Sequence, residues 1–165
     1  MKAITLTQPY AALIALGEKR VETRGWSTPY RGPLAIHAGR YNPKSAEYQA
    51  AFDEPISDIL ASHGITNPQT DLIFSAVVCV VDLVACVRMS DLIVGRSDWL
   101  NERYEYQGER ISKQEIELGY WRPERYAWVL RNPQLLRAPL VTRGYQGLWD
   151  VDERQVAPWL SASVA

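Results

Sequence analysis

The order of apolar and polar positions predicts a strand, a helix and two more strands in the first 40 residues. Ile4 and Leu6 alternate with polar residues, as in a half-buried strand. The segment 7–17 (TQPYAALIALG) combines N-capping residues, an early proline and a closing glycine, which are the signals of a short helix. The segments 21–26 (VETRGW) and 33–38 (PLAIHA) then predict two strands.

The middle of the chain contains its longest apolar run. Residues 43–62 have a helical pattern that is interrupted at Pro55. Residues 71–89 (DLIFSAVVCVVDLVACVRM) are almost wholly apolar and predict one long strand or a hairpin, buried on both faces. Residues 90–125 are charged and mixed, and we interpret them as a helical excursion over a barrel.

The last 40 residues return to strand patterns. Strands are predicted at 125–130 (RYAWVL), 138–143 (APLVTR) and 147–151 (GLWDV), followed by a short helix from 153 and a loose tail at 158–165. Many short strands with few helices favour an α+β fold. We expect a single domain over all 165 residues, built as a small mixed β-barrel with helices packed around it.

The charge of the chain is balanced overall but unevenly distributed. It carries 18 Lys and Arg against 19 Asp and Glu, for a formal net charge of −1, which excludes a global field that would hold nucleic acid or an acidic membrane. Residues 1–41 sum to +4, residues 42–121 to −7 and residues 122–143 to +4. A fold that brings the two basic segments together would form a basic groove on a nearly neutral protein.

The cysteines and the apolar segments indicate the cellular compartment of the protein. Cys79 and Cys86 are the only cysteines, and their spacing of seven puts them on opposite faces if they share one strand. This predicts no disulfide and favours a reducing compartment, and no Cys/His spacing resembles a zinc site. The N-terminus lacks a signal-peptide core and the apolar stretch 75–87 is too short for a bilayer. We therefore expect a cytoplasmic protein with no membrane partner.

The segment 17–26 (GEKRVETRGW) concentrates charges beside an aromatic residue. Glu22 and Arg24 are two apart on a predicted strand, so they share a face and either form an exposed ion pair or converge on a ligand. Lys19 reaches the same face only if the chain turns at Gly17 after the helix, which a glycine permits. The residues themselves leave two interpretations open: a solvated strand edge or a polar pocket.

Two segments, 8–26 (QPYAALIALGEKRVETRGW) and 30–39 (YRGPLAIHAG), resemble the ASCH family, named for homology to activating signal cointegrator. All four positions of the family signature G-x-K-x-x-E-x-R are filled, by Gly17, Lys19, Glu22 and Arg24. The segment 141–151 (VTRGYQGLWDV) resembles the C-terminal half of bacterial members. The resemblance implies a β-barrel similar to the PUA domain, an RNA-binding fold, with a cleft beside the barrel where the signature residues lie.

The resemblance also gives a set of candidate site residues. The candidate catalytic residues are Lys19, Glu22 and Arg24. Residues for substrate binding would supply cations for phosphate, rings for stacking or polar groups for a base; they are Tyr10, Trp26, Tyr30, Arg31, His37, Tyr126, Arg143 and Gln146. By this resemblance Arg143 is the best phosphate contact and Gln146 a reader of a base edge. His37 is either a structural histidine or a proton shuttle, and Trp26 either stacks on a base or packs in the core.

Four functions stay open at this point. One is a binding module for single-stranded RNA or a nucleotide. A second is a ribonuclease, as reported for some bacterial members, in which Glu22 or His37 would act with Lys19 and Arg24. A third is an amidohydrolase acting on N4-acetylcytidine, although that branch of the family has Thr at the position of Glu22. The fourth is a domain that binds a peptide or protein.

No cofactor is expected. Paired carboxylates in the acidic segment 98–124 would suit a divalent metal ion. Basic residues are interleaved with them, and this favours a solvated helical face instead.

Overall fold

A computed structural model describes residues 1–95 and 103–160 of the chain. Its described residues form two compact units. The first unit consists of residues 1–19, 33–82 and 132–160, and the second of residues 20–32, 83–95 and 103–131.

The regular elements are short, apart from two long strands. The strands are β1 (Lys2–Leu6), β2 (Val21–Arg24), β3 (Gly32–Ala38), β4 (Ala76–Arg88), β5 (Ile93–Gly95), β6 (Arg103–Tyr106), β7 (Glu109–Arg110), β8 (Tyr126–Val141) and β9 (Leu148–Asp150). The α-helices are α1 (Tyr10–Ala15), α2 (Ala46–Gln49), α3 (Ile56–Ser62), α4 (Pro68–Asp71), α5 (Lys113–Glu117) and α6 (Glu153–Val156). Single 3₁₀ turns are found at Ala50–Phe52, Met89–Leu92 and Ala157–Trp159.

The first unit is built on a mixed sheet whose strands lie in the order β8–β4–β3–β1–β9. β1 pairs in parallel with β3, with Ile4 opposite Ile36 and Thr5 opposite His37, and it pairs antiparallel with β9. Because β3 and β4 are central strands, residues 34–38 of β3 and 76–81 of β4 are buried on both faces. Residues 34–38 of β3 are all buried, so His37 lies inside the protein.

Small and β-branched side chains fill the space against this sheet. The core cluster of the first unit contains Ala3, Ala35, Val77, Val80, Leu136, Val151 and Val156. Burying one Val or Leu side chain contributes about 1.5–3 kcal/mol. These contacts hold the strands whose ends carry the polar residues of the candidate site.

Helix α1 ends as the sequence predicts. Gly17 has φ +79°, and the amides of Glu18 and Lys19 donate to the carbonyl of Leu13 at 2.9 and 3.1 Å. A left-handed residue just after a helix turns the chain out of it, and glycine adopts that conformation without steric cost. At the other end, the side-chain oxygen of Gln8 accepts a hydrogen bond from a first-turn amide of α1 at 3.0 Å.

Two further predictions from the sequence are confirmed. Residues 43–62 form α2 and α3 with an interruption, and Pro55 lies directly before α3. Residues 71–89 contain one long strand, β4. Its Cys79 is buried, its Cys86 is partly exposed, and both thiols are free. In the described part of the chain, no helix is long and apolar enough to cross a bilayer.

The second unit contains β2, the adjoining parts of β4 and β8, and a small sheet in the order β5–β6–β7. β2 pairs antiparallel with β8, with Glu22 opposite Trp128 and Arg24 opposite Tyr126. Glu115, in α5, accepts hydrogen bonds from the two backbone amides that lead into β2. The core cluster of this unit contains Val21, Met89, Leu92, Tyr104, Trp121 and Ala127.

Three predictions differ from the structure. The helical excursion at 90–125 is wrong for most of its described residues, which form β5, β6 and β7 and only one five-residue helix, α5. The two strands predicted at 125–130 and 138–143 belong largely to one strand, β8, which continues through Asn132 at φ +51°. Within the predicted tail, Leu160 forms a β-bridge with Leu136, and residues 161–165 lie outside the described residues.

Candidate functional site

A cavity of about 390 Å³ lies at one end of the first unit's sheet. It is lined by Thr5, His37, Arg40, Ser75, Thr142, Arg143 and Gly144. The lining contains no Asp or Glu, and Arg40 and Arg143 are both exposed. Within residues 1–95 and 103–160, neither arginine forms an ion pair. Two uncompensated guanidinium groups beside hydroxyl side chains are suited to binding an anion.

The cavity forms where four neighbouring strands begin or end. Thr5 and His37 lie near the ends of β1 and β3, Ser75 directly precedes β4, and Thr142 directly follows β8. The amide of Ser75 donates to the carbonyl of Gly39 at 3.2 Å, and the amide of Thr142 donates to the carbonyl of Ser75 at 3.1 Å. These backbone bonds fix the loops that carry the polar side chains.

The same cavity brings the two basic segments of the sequence together. Arg40 comes from the first basic segment, 1–41, and Arg143 from the second, 122–143. The acidic segment 42–121 contributes only Ser75 to the lining. The cavity therefore has a formal charge of +2 with His37 neutral, although the whole chain carries −1.

His37 is a buried, neutral member of this site. Its Nε2 lies 3.0 Å from the carbonyl oxygen of Thr142, and because a carbonyl only accepts, Nε2 carries the proton. Its Nδ1 is buried and has no hydrogen-bond partner among the described residues. Burial lowers the pKa of His37 below its ordinary 6.5, against the opposing effect of the bond to Thr142. A neutral ring 1% exposed is better suited to positioning the loop after β8 than to transferring protons.

A series of aromatic rings connects His37 to the protein surface. The ring of Trp149 lies 5.6 Å from that of His37 and 5.5 Å from that of Tyr145, each at a steep angle. Trp149 Nε1 donates to Oγ1 of Thr5 at 3.2 Å, which fixes the indole. The guanidinium carbon of Arg143 lies 5.4 Å from the centroid of the Tyr145 ring. Tyr145 is 52% exposed, so a supported aromatic surface lies next to a cavity arginine.

The remaining candidates of the first unit do not line this cavity. Lys19 is 2% exposed, and its Nζ lies 6.0 Å from the centroid of the Tyr10 ring. The buried Gln8 donates from Nε2 to the carbonyl of Ile73 at 2.7 Å, which holds the entry to α1. Gln146 is exposed on the loop between β8 and β9.

The signature is divided between the two units: Lys19 belongs to the first, Glu22 and Arg24 to the second. In the second unit, Nε of Arg24 lies 3.2 Å from Oε1 of Glu22, with side-chain exposures of 26% and 13%. The two residues share a face of β2, as their spacing predicts, and form a largely buried ion pair. The partly buried Tyr126 is opposite Arg24 on β8.

The segment after β2 packs against its own unit. Trp26 meets Trp128 edge to face at 4.7 Å, and its carbonyl accepts a hydrogen bond from Nε1 of Trp128 at 3.3 Å. Trp26 is still 37% exposed, so part of its ring faces solvent. Nη1 of Arg31 donates to the carbonyls of Thr28 and Tyr30 at 2.9 and 2.6 Å. Arg31 therefore closes the loop at residues 28–31.

Sequence reasoning did not single out several residues of the cavity. Thr5, Ser75, Thr142 and Gly144 are not distinguished by residue type, and they come from two distant loops and a strand end. Arg40 is the last cation of a basic segment and lies two residues after the strand predicted at 33–38, which is a recognisable signal. Across the described ranges, no three His, Cys, Asp or Glu side chains are grouped as metal ligands.

Comparisons with known sequences identify relatives of the chain. The chain is 24% identical over 151 residues to activating signal cointegrator 1 of Mus musculus and of Homo sapiens. These alignments cover 92% of this chain and 22% of each relative, so the chain spans about a fifth of their length.

Comparison with solved structures gives the fold. The crystal structure of ASCH from Zymomonas mobilis matches with a TM-score of 0.52 at 18% identity, covering 97% of this chain and 95% of that chain. A mutant of that protein matches with a TM-score of 0.51. The predicted α+β, PUA-like mixed fold with helices packed around the sheet is thereby confirmed. The sequence profile of the ASCH domain matches residues 4–117, more than half of the chain, and the protein therefore belongs to the ASCH domain family.

Proposed function

We propose that this ASCH domain binds single-stranded RNA, with a backbone phosphate in the cavity of the first unit. The observation that carries the proposal is the pair Arg40 and Arg143, which line one cavity without a carboxylate in its lining. Arg side chains bind phosphate oxygens through parallel N–H donors, and phosphate contacts supply most of the affinity of nucleic-acid binding. The hydroxyl groups of Ser75 and Thr142 add donors of the kind that contact phosphate and sugar.

The size of the cavity supports a nucleotide as the bound unit. Its volume of about 390 Å³ lies within the range of small-molecule sites, roughly 300–1,000 Å³. Gly144 lines the cavity where His37 and Thr5 leave no room for a side chain.

Tyr145 supports recognition of an unstacked base. Its ring is half exposed, is held by Trp149 and lies next to the guanidinium of Arg143. Bases of single-stranded RNA stack on such rings, with about 1–3 kcal/mol of binding free energy per base. Gln146, exposed on the same loop, is the proposed contact to a base edge. The free thiols of Cys79 and Cys86 support the cytoplasm as the compartment.

The binding proposal is tested by fluorescence anisotropy with a labelled single-stranded RNA, a duplex of the same sequence and a short acidic peptide. We expect the single strand to bind best, and Arg40→Gln and Arg143→Gln each to weaken it about tenfold. Arg137→Gln, an exposed arginine of β8 outside the cavity, is the matched control and should leave the affinity within about twofold. Equal affinities for all variants, or tightest binding of the peptide, would contradict the proposal.

A second candidate function is hydrolysis at the signature residues, and the burial of Lys19 favours it. Lys19 is 2% exposed and lies beside the Tyr10 ring, and buried lysines serve as bases or nucleophiles in enzymes. The substrates to test are single-stranded RNA and N4-acetylcytidine, each with and without EDTA. Turnover that Lys19→Ala and Glu22→Gln both abolish would establish an enzyme. Binding without turnover would leave a binding module, and loss of turnover in EDTA alone would indicate a metal ion.

A further inference from the structure

A second cavity, of about 230 Å³, lies within the second unit, and none of the four signature residues Gly17, Lys19, Glu22 and Arg24 lines it. It is lined by Arg20, Val21, Tyr106, Glu109, Arg110, Ile111, Ser112, Glu115, Val129 and Arg131. Three of these residues are arginines that come from the segment before β2, from β7 and from β8. The charge pattern is again basic, although the segment from 42 to 121 is acidic as a whole.

The lining contains two carboxylates, those of Glu109 and Glu115, beside its three arginines. Oε1 of Glu115 accepts from the amide of Arg20 at 2.5 Å, and Oε2 accepts from the amide of Val21 at 2.9 Å. Both of its oxygens therefore serve the backbone at the start of β2, and Glu115 is 8% exposed. Glu109 is exposed, and none of the ion pairs among the described residues includes it.

Arg110 and Arg131 are available for a ligand. Among the residues that the structure describes, neither of them forms an ion pair. Arg131 makes one hydrogen bond, from Nη1 to the carbonyl of Leu130 at 3.1 Å, which leaves its other N–H donors for further contacts. Glu105 is opposite Arg110 in the β6–β7 pairing but forms no ion pair with it.

A tight turn positions Arg110. Gln107 and Gly108 both have positive φ, +52° and +81°, as in the two-residue turns that connect antiparallel strands without splaying them. The register that follows places Tyr106 opposite Glu109 and Arg110 one residue further along. The backbone of Arg110 is therefore placed by the β6–β7 pairing and by the turn at Gln107 and Gly108.

We propose that this second cavity is a phosphate-group site, held chiefly by Arg110 and Arg131 with Arg20. Its volume is below the roughly 300 Å³ at which sites take a whole drug-sized ligand, so a single phosphate or a pyrophosphate is the fitting occupant. Guanidinium groups bind such oxyanions in a bidentate manner, and the buried Val21 and Val129 in the lining lower the local dielectric constant. The phosphate is either free in solution or part of an RNA chain. The inference does not depend on the proposed function of the first cavity.

The test titrates inorganic phosphate by calorimetry at low ionic strength. The parent protein is the double variant Arg40→Gln/Arg143→Gln, in which the first cavity has lost both arginines, so the heat reports the second cavity. We expect the parent to bind one phosphate, and Arg110→Gln and Arg131→Gln, added to it, each to lower the association constant at least about tenfold. Arg131→Lys, which keeps the charge but not the planar fork, should give an intermediate loss. Circular dichroism melts of each variant check that it folds.

The matched control is Arg137→Gln in the same parent, which should bind phosphate within about twofold of it. No phosphate binding by the folded parent would overturn the proposal. The proposal would also be overturned if Arg110→Gln and Arg131→Gln left the affinity for phosphate unchanged, or if Arg137→Gln lowered that affinity as much as they do. A single-stranded RNA is then added in competition to identify the source of the phosphate. If the RNA displaces phosphate, the site binds an RNA backbone phosphate; if it does not, the site binds free phosphate. Failure of RNA binding in the first cavity would leave this readout unaffected.

Discussion

The Nε2 atom of His37 lies 3.0 Å from the carbonyl oxygen of Thr142, so the central strand β3 is bonded to the residue directly before Arg143. The bond joins a buried position to the loop that carries a cavity arginine. Because the ring is neutral, its Nε2–H can donate without placing an unpaired charge in the interior. The protonation state of His37 therefore bears on the position of the loop that carries Arg143.

The first prediction concerns the pH dependence of stability. Burial holds the pKa of folded His37 below 6.5, so the unfolded chain binds its proton first as the pH falls. The unfolded state then binds more protons than the folded state, and the free energy of unfolding decreases with falling pH. We expect the free energy of unfolding to fall by up to about 1.4 kcal/mol per pH unit, beginning at about pH 6.5 and ending below the lowered pKa of folded His37. Urea unfolding at pH 7.5, 6.5, 5.5 and 5.0 measures it.

A matched pair of variants isolates this contribution. His37→Gln should remove the dependence between pH 6.5 and 5.0, whatever its effect on stability at pH 7.5. His63→Gln replaces the other histidine, which is paired with Glu18 at 2.9 Å on the surface, and should keep the destabilisation due to His37. The account fails if His37→Gln and the unchanged protein lose stability equally over this range.

The second prediction concerns Gly144. A Cβ atom at this position would lie 2.5 Å from Nδ1 of His37 and 2.6 Å from Oγ1 of Thr5, both on ordered strands. Gly144→Ala should therefore destabilise the fold by about 1–3 kcal/mol and weaken RNA binding, because the loop with Arg143 must shift. Gly25→Ala is the control, since its Cβ would meet only Nη1 of Arg125 at an ordinary 3.6 Å. Chemical denaturation measures both, and a Gly144→Ala protein as stable as Gly25→Ala would contradict the geometry.

The third prediction concerns the link between Glu115 and the start of β2. Its carboxylate accepts two backbone hydrogen bonds, from the amides of Arg20 and Val21. Glu115→Gln replaces one acceptor oxygen by an NH₂ group, so one buried amide loses its partner. We expect a loss of about 1.5–3 kcal/mol in the free energy of unfolding. The exposed Glu109→Gln serves as control and should change it by no more than about 0.5 kcal/mol. Similar values for both substitutions would show that the two bonds contribute little.

The fourth prediction concerns the aromatic surface beside the cavity. Tyr145→Ala removes the half-exposed ring and should cost about 1–3 kcal/mol of RNA-binding free energy, if one base stacks on it. Tyr145→Phe keeps the ring and its contacts with Trp149 and Arg143, so it should bind within about twofold of the unchanged protein. Anisotropy titrations compare the three. An unaltered affinity in Tyr145→Ala would exclude stacking at this position.

Local signals in the sequence were sufficient for the first elements of the fold. The turn at Gly17, the strands β1 to β3 and the break at Pro55 depend on residues close to one another in the chain. β8 was predicted as two strands because Asn132 and the proline after it are usual strand breakers. In the structure Asn132 adopts φ +51°, and its Nδ2 donates to Asp82 at 2.8 Å, which holds the strand through the irregularity.

The candidate site could be predicted only in part. The residue type points to His37 and the family resemblance to Arg143, and the two basic segments predict a basic groove if the fold brings them together. The cavity itself depends on loops distant in sequence, such as those of Arg40 and Ser75, which the sheet order brings together. The strands within 90–125 were missed because their charged composition resembles a helix surface and the Gln107–Gly108 turn lacks the usual Asn-Gly or Asp-Gly signal.

The central claim is that Arg40 and Arg143 contact RNA phosphates, and the salt dependence of binding tests it most directly. For a single strand, the logarithm of the association constant falls against the logarithm of the salt concentration with a slope of about −0.7 per phosphate contact. The double variant Arg40→Gln/Arg143→Gln should therefore bind more weakly and show a slope that is shallower by about 1.4. A slope equal to that of the unchanged protein would contradict the claim, because the two arginines would then make no phosphate contact.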